Sequence, residues 1–220
     1  MKPYAFVFDM DGVIVDSNPY HEVALREFCA RYGYQLTEDD LRNRIFGRTN
    51  KDWIPSLFGD LDPEDIASYG DEKEELFREI YAPHIRPLEG LIEFLEKLKA
   101  ANIPRAVATS APRENVDFIL DKTGTWKYFD VVLDQSNVTR GKPDPEIYLK
   151  TAKALKLPSR RCIVFEDSLS GVLAARAANC RVIGITTTHK IDEFPPVDRV
   201  IDDFRGLDPV EVIAELQNQG

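Results

Sequence analysis

The run Tyr4-Ala5-Phe6-Val7-Phe8-Asp9-Met10-Asp11-Gly12-Val13 decides how this chain is read. Residues 4–9 are a short apolar segment that ends in a carboxylate. Such a segment reads as a buried strand whose carboxyl end presents acid. In open parallel sheets ligands bind beyond the carboxyl ends of the strands, so Asp9 and Asp11 stand where chemistry is expected.

Working outward from that strand, the pattern divides in two. Residues 18–32 predict a helix, with Val23, Ala24, Phe28 and Tyr32 at helical spacing and Gly33 closing it. Residues 37–44 and 48–58 also read as helical. The stretch 60–79 holds nine acidic residues and two basic ones, so its helical part, Glu72–Tyr81, is expected to be a solvated face. After Pro83 the pattern changes. Leu88, Leu91, Ile92, Leu95 and Leu98 give an amphipathic helix. Strands over 105–109, 131–134, 162–166, 182–186 and 199–201 then alternate with helices over 113–122, 145–155, 170–179 and 209–217. Alternation of this kind predicts an α/β fold with a mostly parallel sheet and helices on both faces. The all-helical stretch interrupts it after the first strand. The expected organisation is therefore a core of residues 1–16 and 84–220, with residues 17–83 inserted as a helical cap domain.

Composition narrows the function classes. The chain has 220 residues, 43% of them hydrophobic, and a formal net charge of −10. That charge disfavours nonspecific binding to nucleic acid or to an anionic membrane. No apolar run reaches the roughly 18 residues of a membrane span, and the first residues lack the pattern of a secretory leader, so a cytoplasmic location is expected. Three cysteines, Cys29, Cys162 and Cys180, lie far apart, which argues against a disulfide framework or a zinc site.

The polar residues at the predicted strand ends form one set. The first strand delivers Asp9 and Asp11, the strand 105–109 delivers Thr109 and Ser110, and the strand 162–166 delivers Glu166 and Asp167. Lys142 lies in the loop Thr139-Arg140-Gly141-Lys142-Pro143-Asp144. Packed carboxylates raise one another's pKa. A Mg²⁺ ion held by Asp9, Asp11, Glu166 and Asp167 would remove that conflict, since it prefers oxygen ligands. Asp9 has the features of a carboxylate nucleophile, and Asp11 of a general acid–base group. Thr109, Ser110 and Lys142 would hold phosphoryl oxygens and neutralise their charge.

These residues carry a family resemblance. Asp9-Met10-Asp11-Gly12-Val13-Ile14-Val15-Asp16-Ser17 resembles the first motif of the haloacid dehalogenase superfamily, and Thr109 its second. Gly141-Lys142-Pro143-Asp144-Pro145-Glu146-Ile147-Tyr148 resembles the third, and Phe165-Glu166-Asp167-Ser168-Leu169-Ser170-Gly171-Val172 the fourth. The resemblance implies a Rossmann-like core, Mg²⁺ and an aspartyl-phosphate intermediate, and the helical insert resembles the type-one cap. Asp at both 9 and 11 favours phosphate chemistry over dehalogenation. The nearest subgroup resembles the beta-phosphoglucomutase-like phosphatases. By that likeness His21 would couple cap closure to catalysis, and Lys73 matches a cap lysine. Where the mutase carries an arginine for a second phosphate, this chain has Asn50, with Arg48 two residues earlier. Ala111-Pro112-Arg113 replaces the mutase's polar residues after the second motif. These departures favour a phosphatase acting on a small phosphorylated metabolite, with a sugar phosphate first in mind. A sugar phosphomutase, an inorganic pyrophosphatase and a catalytically silent metabolite-binding module are the alternatives. A monomer is expected, because the cap must move.

Overall fold

In a computed structural model describing residues 4–45 and 50–218, six strands form a single sheet among the described residues: β1 Ala5–Phe8, β2 Arg105–Ala108, β3 Val131–Leu133, β4 Cys162–Glu166, β5 Arg181–Ile185 and β6 Arg199–Ile201. The described helices are α1 Asn18–Arg31, α2 Glu38–Asp40, α3 Asn50–Phe58, α4 Pro63–Tyr81, α5 Leu91–Ala100, α6 Arg113–Thr123, α7 Glu146–Ala154, α8 Leu169–Ala177 and α9 Pro209–Asn218. The chain divides into two units: Met1–Asp16 with Ile85–Gly220, and Ser17–His84. No described helix is long and apolar enough to cross a membrane.

In the sheet unit every strand pairing is parallel, in the order β3-β2-β1-β4-β5-β6. β1 is central, with Phe8 opposite Val107 on one side and Phe165 on the other. Its four residues are all buried, as an unbroken apolar run requires in a strand covered on both faces. On one face, Ala5, Val7, Ala106, Ala108 and Val164 pack with Ile147 and Tyr148 of α7 and with Val172 and Ala175 of α8. The other face is aromatic. Phe8 and Phe165 stack at 5.1 Å, and Phe94 of α5 meets Phe6 edge-on at 5.4 Å. The strand order reverses direction between β1 and β4, and this switch point is where a parallel sheet opens a crevice.

The helical unit differs from expectation in two places. In α1 the buried residues are Ala24, Leu25, Phe28 and Cys29, while Val23 is 50% exposed and Tyr32 41% exposed. The core-facing stripe is therefore turned by about one position from the expected one. Tyr32 lies instead in an aromatic cluster, 4.5 Å from Tyr69 and 5.9 Å from Phe58. In α4 the expected solvated face is partly interior, because Lys73 and Glu74 are buried beside Leu76 and Phe77. Both charges have partners: Lys73 Nζ lies 2.8 Å from Glu74 Oε1 and 3.3 Å from His21 Nδ1. Pairing offsets part of the desolvation penalty that an isolated buried charge would carry. The start of α2 is fixed by a capping box between Thr37 and Asp40, and the helix passes into a wider π-turn over Leu41–Ile45.

Candidate active site

The carboxyl ends of β1 and β4 bring three acids together. Asp9 follows β1, and its backbone N–H donates to the Phe165 carbonyl at 3.1 Å. Glu166 ends β4 and Asp167 follows it. Carboxylate oxygens of Asp9, Glu166 and Asp167 all lie within 4.8 Å of one another, and all three side chains are buried. Lys142 reaches in from the loop before α7, donating to Asp9 Oδ1 at 2.7 Å and to Glu166 Oε1 at 2.5 Å. Glu166 accepts further from the Tyr148 hydroxyl at 2.6 Å and, on Oε2, from Ser168 N–H at 3.1 Å and Ser168 Oγ at 2.9 Å. The Thr188 hydroxyl donates to Asp167 Oδ2, and the Thr187 hydroxyl donates to the Gly12 carbonyl at 2.6 Å. The loop after β5 thus braces both the β1 and the β4 ends.

The chemistry of the set is set by burial and crowding. Burial pushes the Asp9 pKa up to about 7. Lys142 opposes the rise, while Glu166 and Asp11 add to it. Burial likewise raises Asp167 well above the usual carboxylate range, with Glu166 and Asp9 contributing. Burial works against the charge on Lys142, but Asp9 and Glu166 outweigh it and its pKa is raised. One ammonium therefore faces more negative charge than it can neutralise. A cluster of hard oxygen donors with surplus negative charge fits a divalent cation, and these residues can bind a metal.

The residues expected from sequence fall as follows. Asp11 is half-buried and close enough to Asp9 to raise its pKa, but it stands outside the 4.8 Å set. Gly12, at φ 73°, makes the turn that follows it. Thr109 is buried, its Oγ1 accepting from Ala111 N–H at 3.1 Å, and Ser110 is exposed. Arg113 is occupied within its own unit, donating to Asp117 at 2.9 Å and lying 5.1 Å over the Trp126 ring. In the helical unit, the ring of His21 stacks on Phe77 at 3.6 Å, and Lys73 is buried against Glu74. Asn50 Oδ1 accepts from Trp53 Nε1 at 2.9 Å, so part of its amide serves packing. Arg48 lies outside the described residues.

Tyr148, Gly171 and Thr188 were given no role of their own in the sequence reading. Tyr148 sits on the buried face of α7 beside Ile147, and a buried phenol needs a hydrogen-bond partner, which was the available signal. Gly171 interrupts an otherwise Ala-rich helix. A Cβ there would meet Glu166 Oε1 at 1.8 Å, so only glycine lets α8 run against that carboxylate. Thr188 carried no local signal at all.

A family model described as haloacid dehalogenase-like hydrolase matches residues 6–185. The chain belongs to that family. A phosphorylated carbohydrates phosphatase from Thermotoga maritima is 36% identical over 191 residues, covering 86% of this chain and 87% of the relative. A validoxylamine A 7'-phosphate phosphatase from Streptomyces hygroscopicus subsp. limoneus is 31% identical, covering 90% and 92%. The crystal structure of a family IA, variant 3 hydrolase from Entamoeba histolytica superposes with a TM-score of 0.89 at 32% identity, covering 98% of this chain and 100% of that one. Family membership and these phosphatase relatives make the chain a phosphoric monoester hydrolase for small phosphorylated substrates.

Proposed function

We propose that this hydrolase is a Mg²⁺-dependent phosphatase of a small organic phosphate, preferably a sugar phosphate, and that it works through an aspartyl phosphate on Asp9. The observation that carries the reading is Lys142 bridging Asp9 and Glu166 in a buried acidic cluster at the switch point of the sheet. The sugar-phosphate preference draws support from the relative named a phosphorylated carbohydrates phosphatase.

Asp9, Glu166 and Asp167, with Asp11 beside them, would hold the ion, which supplies positive charge against the phosphoryl oxygens. In the first half-reaction a carboxylate oxygen of Asp9 bonds to phosphorus while the bond from phosphorus to the leaving oxygen breaks. Asp11 gives that oxygen its proton. In the second, a water oxygen bonds to phosphorus, Asp11 takes the water's proton, and the bond to Asp9 breaks. Inorganic phosphate leaves and both aspartates return to their starting states. Lys142 occupies Asp9 Oδ1 and so fixes the orientation of the nucleophile. Thr109 and Ser110 hold phosphoryl oxygens.

The test is phosphate release from sugar phosphates, nucleotides and pyrophosphate, with and without Mg²⁺. Stoichiometric release from sugar phosphates only with Mg²⁺ is expected. Conversion of a hexose 1-phosphate to its 6-phosphate with little free phosphate would replace the phosphatase with a mutase. Preferred release from pyrophosphate would replace the sugar phosphate, and binding without turnover would remove the enzyme reading.

A further inference from the structure

Among the groups around the acidic cluster whose chemistry the proposed reaction leaves unused, Tyr148 is the one that shares a carboxylate oxygen with Lys142. It is 1% exposed and projects from α7 onto the same carboxylate oxygen, Glu166 Oε1, that Lys142 holds. Its ring also lies 5.2 Å from Lys142 Nζ, within reach of a cation–π attraction. A lysine ammonium is a compact charge on a flexible four-carbon stem, so its position depends on what surrounds it. Here it is surrounded by Asp9, Glu166 and the face of Tyr148.

The Glu166 carboxylate is itself confined. Ser168 fixes Oε2 from two atoms, Tyr148 and Lys142 fix Oε1, and the backbone of α8 at Gly171 closes a further side. Lys142 and Ser168 already match the charge and part of the hydrogen-bonding capacity of this carboxylate. What the phenol adds is direction, because it pins the oxygen on which Lys142 rests. We propose that Tyr148 is a positioning residue. Through Glu166 and its own ring it holds the Lys142 ammonium on Asp9 Oδ1.

This proposal rests on the phosphatase reading for its kinetic arm only. Tyr148→Phe keeps the ring and its packing and removes only the hydroxyl, and its melting temperature serves as the check of folding. At saturating Mg²⁺ its kcat for a sugar phosphate is expected to fall about tenfold, the scale seen when a group orienting an active-site ligand is lost, with KM within twofold of wild type. The second readout needs no turnover. The Lys142 ammonium signal in ¹H–¹⁵N spectra of the metal-free protein is expected to shift and to exchange faster with water in the variant. Tyr128→Phe is the control. It removes another buried phenol that donates to a carboxylate, Glu96 at 2.5 Å, and should leave kcat and the Lys142 signal unchanged. An unchanged Lys142 signal in Tyr148→Phe overturns the proposal whatever happens to kcat. So does a shifted signal with kcat within twofold of an active wild type. If wild type itself releases no phosphate, the phosphatase reading has failed, and the ammonium spectrum alone decides the placement of Lys142.

Discussion

Asp40 in the helical unit and Asp9 in the sheet unit expose nearly the same fraction of their surface, 8% and 7%, yet their pKa values move in opposite directions. Asp40 is held down at about 2, first by Thr37, whose hydroxyl and N–H donate to it, and then by Arg44 and Tyr34. Burial opposes the shift, but these donors outweigh it. Asp9 is pushed up to about 7, because it lies deep beside other acids with one lysine to offset them. Accessible area therefore does not decide the fate of a carboxylate; donors, depth and like charges do. Asp40 is arranged for stability. In the proposed reading Asp9 is arranged for reaction, at the expense of stability.

The sign of each effect on folding follows by linkage. A depressed carboxylate pKa stabilises the fold above the unfolded value and loses that contribution as pH falls, here from about 4 toward 2 for Asp40. A raised carboxylate pKa does the reverse. In the metal-free protein the contribution of Asp9 is expected to be lost as pH climbs from about 4 through 7, as Asp9 is forced to ionise.

The contrast breaks most sharply at Asp9→Asn. Phosphate release should fall a thousandfold or more on the scale of a lost nucleophile, roughly 10³ at the least. The melting temperature of the metal-free variant at pH 8 should meanwhile rise, since a crowded charge is gone. A lower melting temperature would mean that Asp9 is stabilising after all. Next is Gly171→Ala. In an ordinary helix interior this change is favourable, but a Cβ at 1.8 Å from Glu166 Oε1 should reverse the sign and cost about 2 kcal/mol, read by urea unfolding, with turnover reduced as well. Third, in the proposed reading Mg²⁺ competes with the proton on Asp9. Its apparent affinity by calorimetry should be about tenfold weaker at pH 6 than at pH 8, and the thermal stabilisation it gives should be smaller at pH 6. Equal affinity at the two pH values would detach Asp9 from the metal. The smallest effect is expected at Thr37→Ala, which removes the cap that donates to Asp40. It should cost about 1 kcal/mol in unfolding experiments and leave turnover unchanged.

Much of this was legible before the structure, for local reasons. The parallel sheet follows from apolar runs such as Ala5–Phe8 alternating with helical periodicity, and those patterns are properties of adjacent residues. The carboxylates stand at strand ends, and strand ends in such a sheet share one edge. What escaped depends on packing between distant segments. Resemblance alone matched Lys73 to a cap lysine; that it is buried and meets His21 shows only when α4 is laid against α1. Val23 and Leu25 are both apolar, and only the docking of α1 decides that the second is inside. Thr188 meets Asp167 only once β5 has delivered its loop to β4.

The central place of β1 has a consequence for how the molecule is made. Phe6 aligns with Arg105 on one side and with Ile163 on the other, so this strand is synthesised long before either neighbour exists. On the ribosome its apolar edges wait while the contiguous segment Ser17–His84, whose contacts are nearer in sequence, can take shape first. The first strand therefore waits for neighbours made later, and Asp9 can meet Lys142 only once 142 of the 220 residues have been translated.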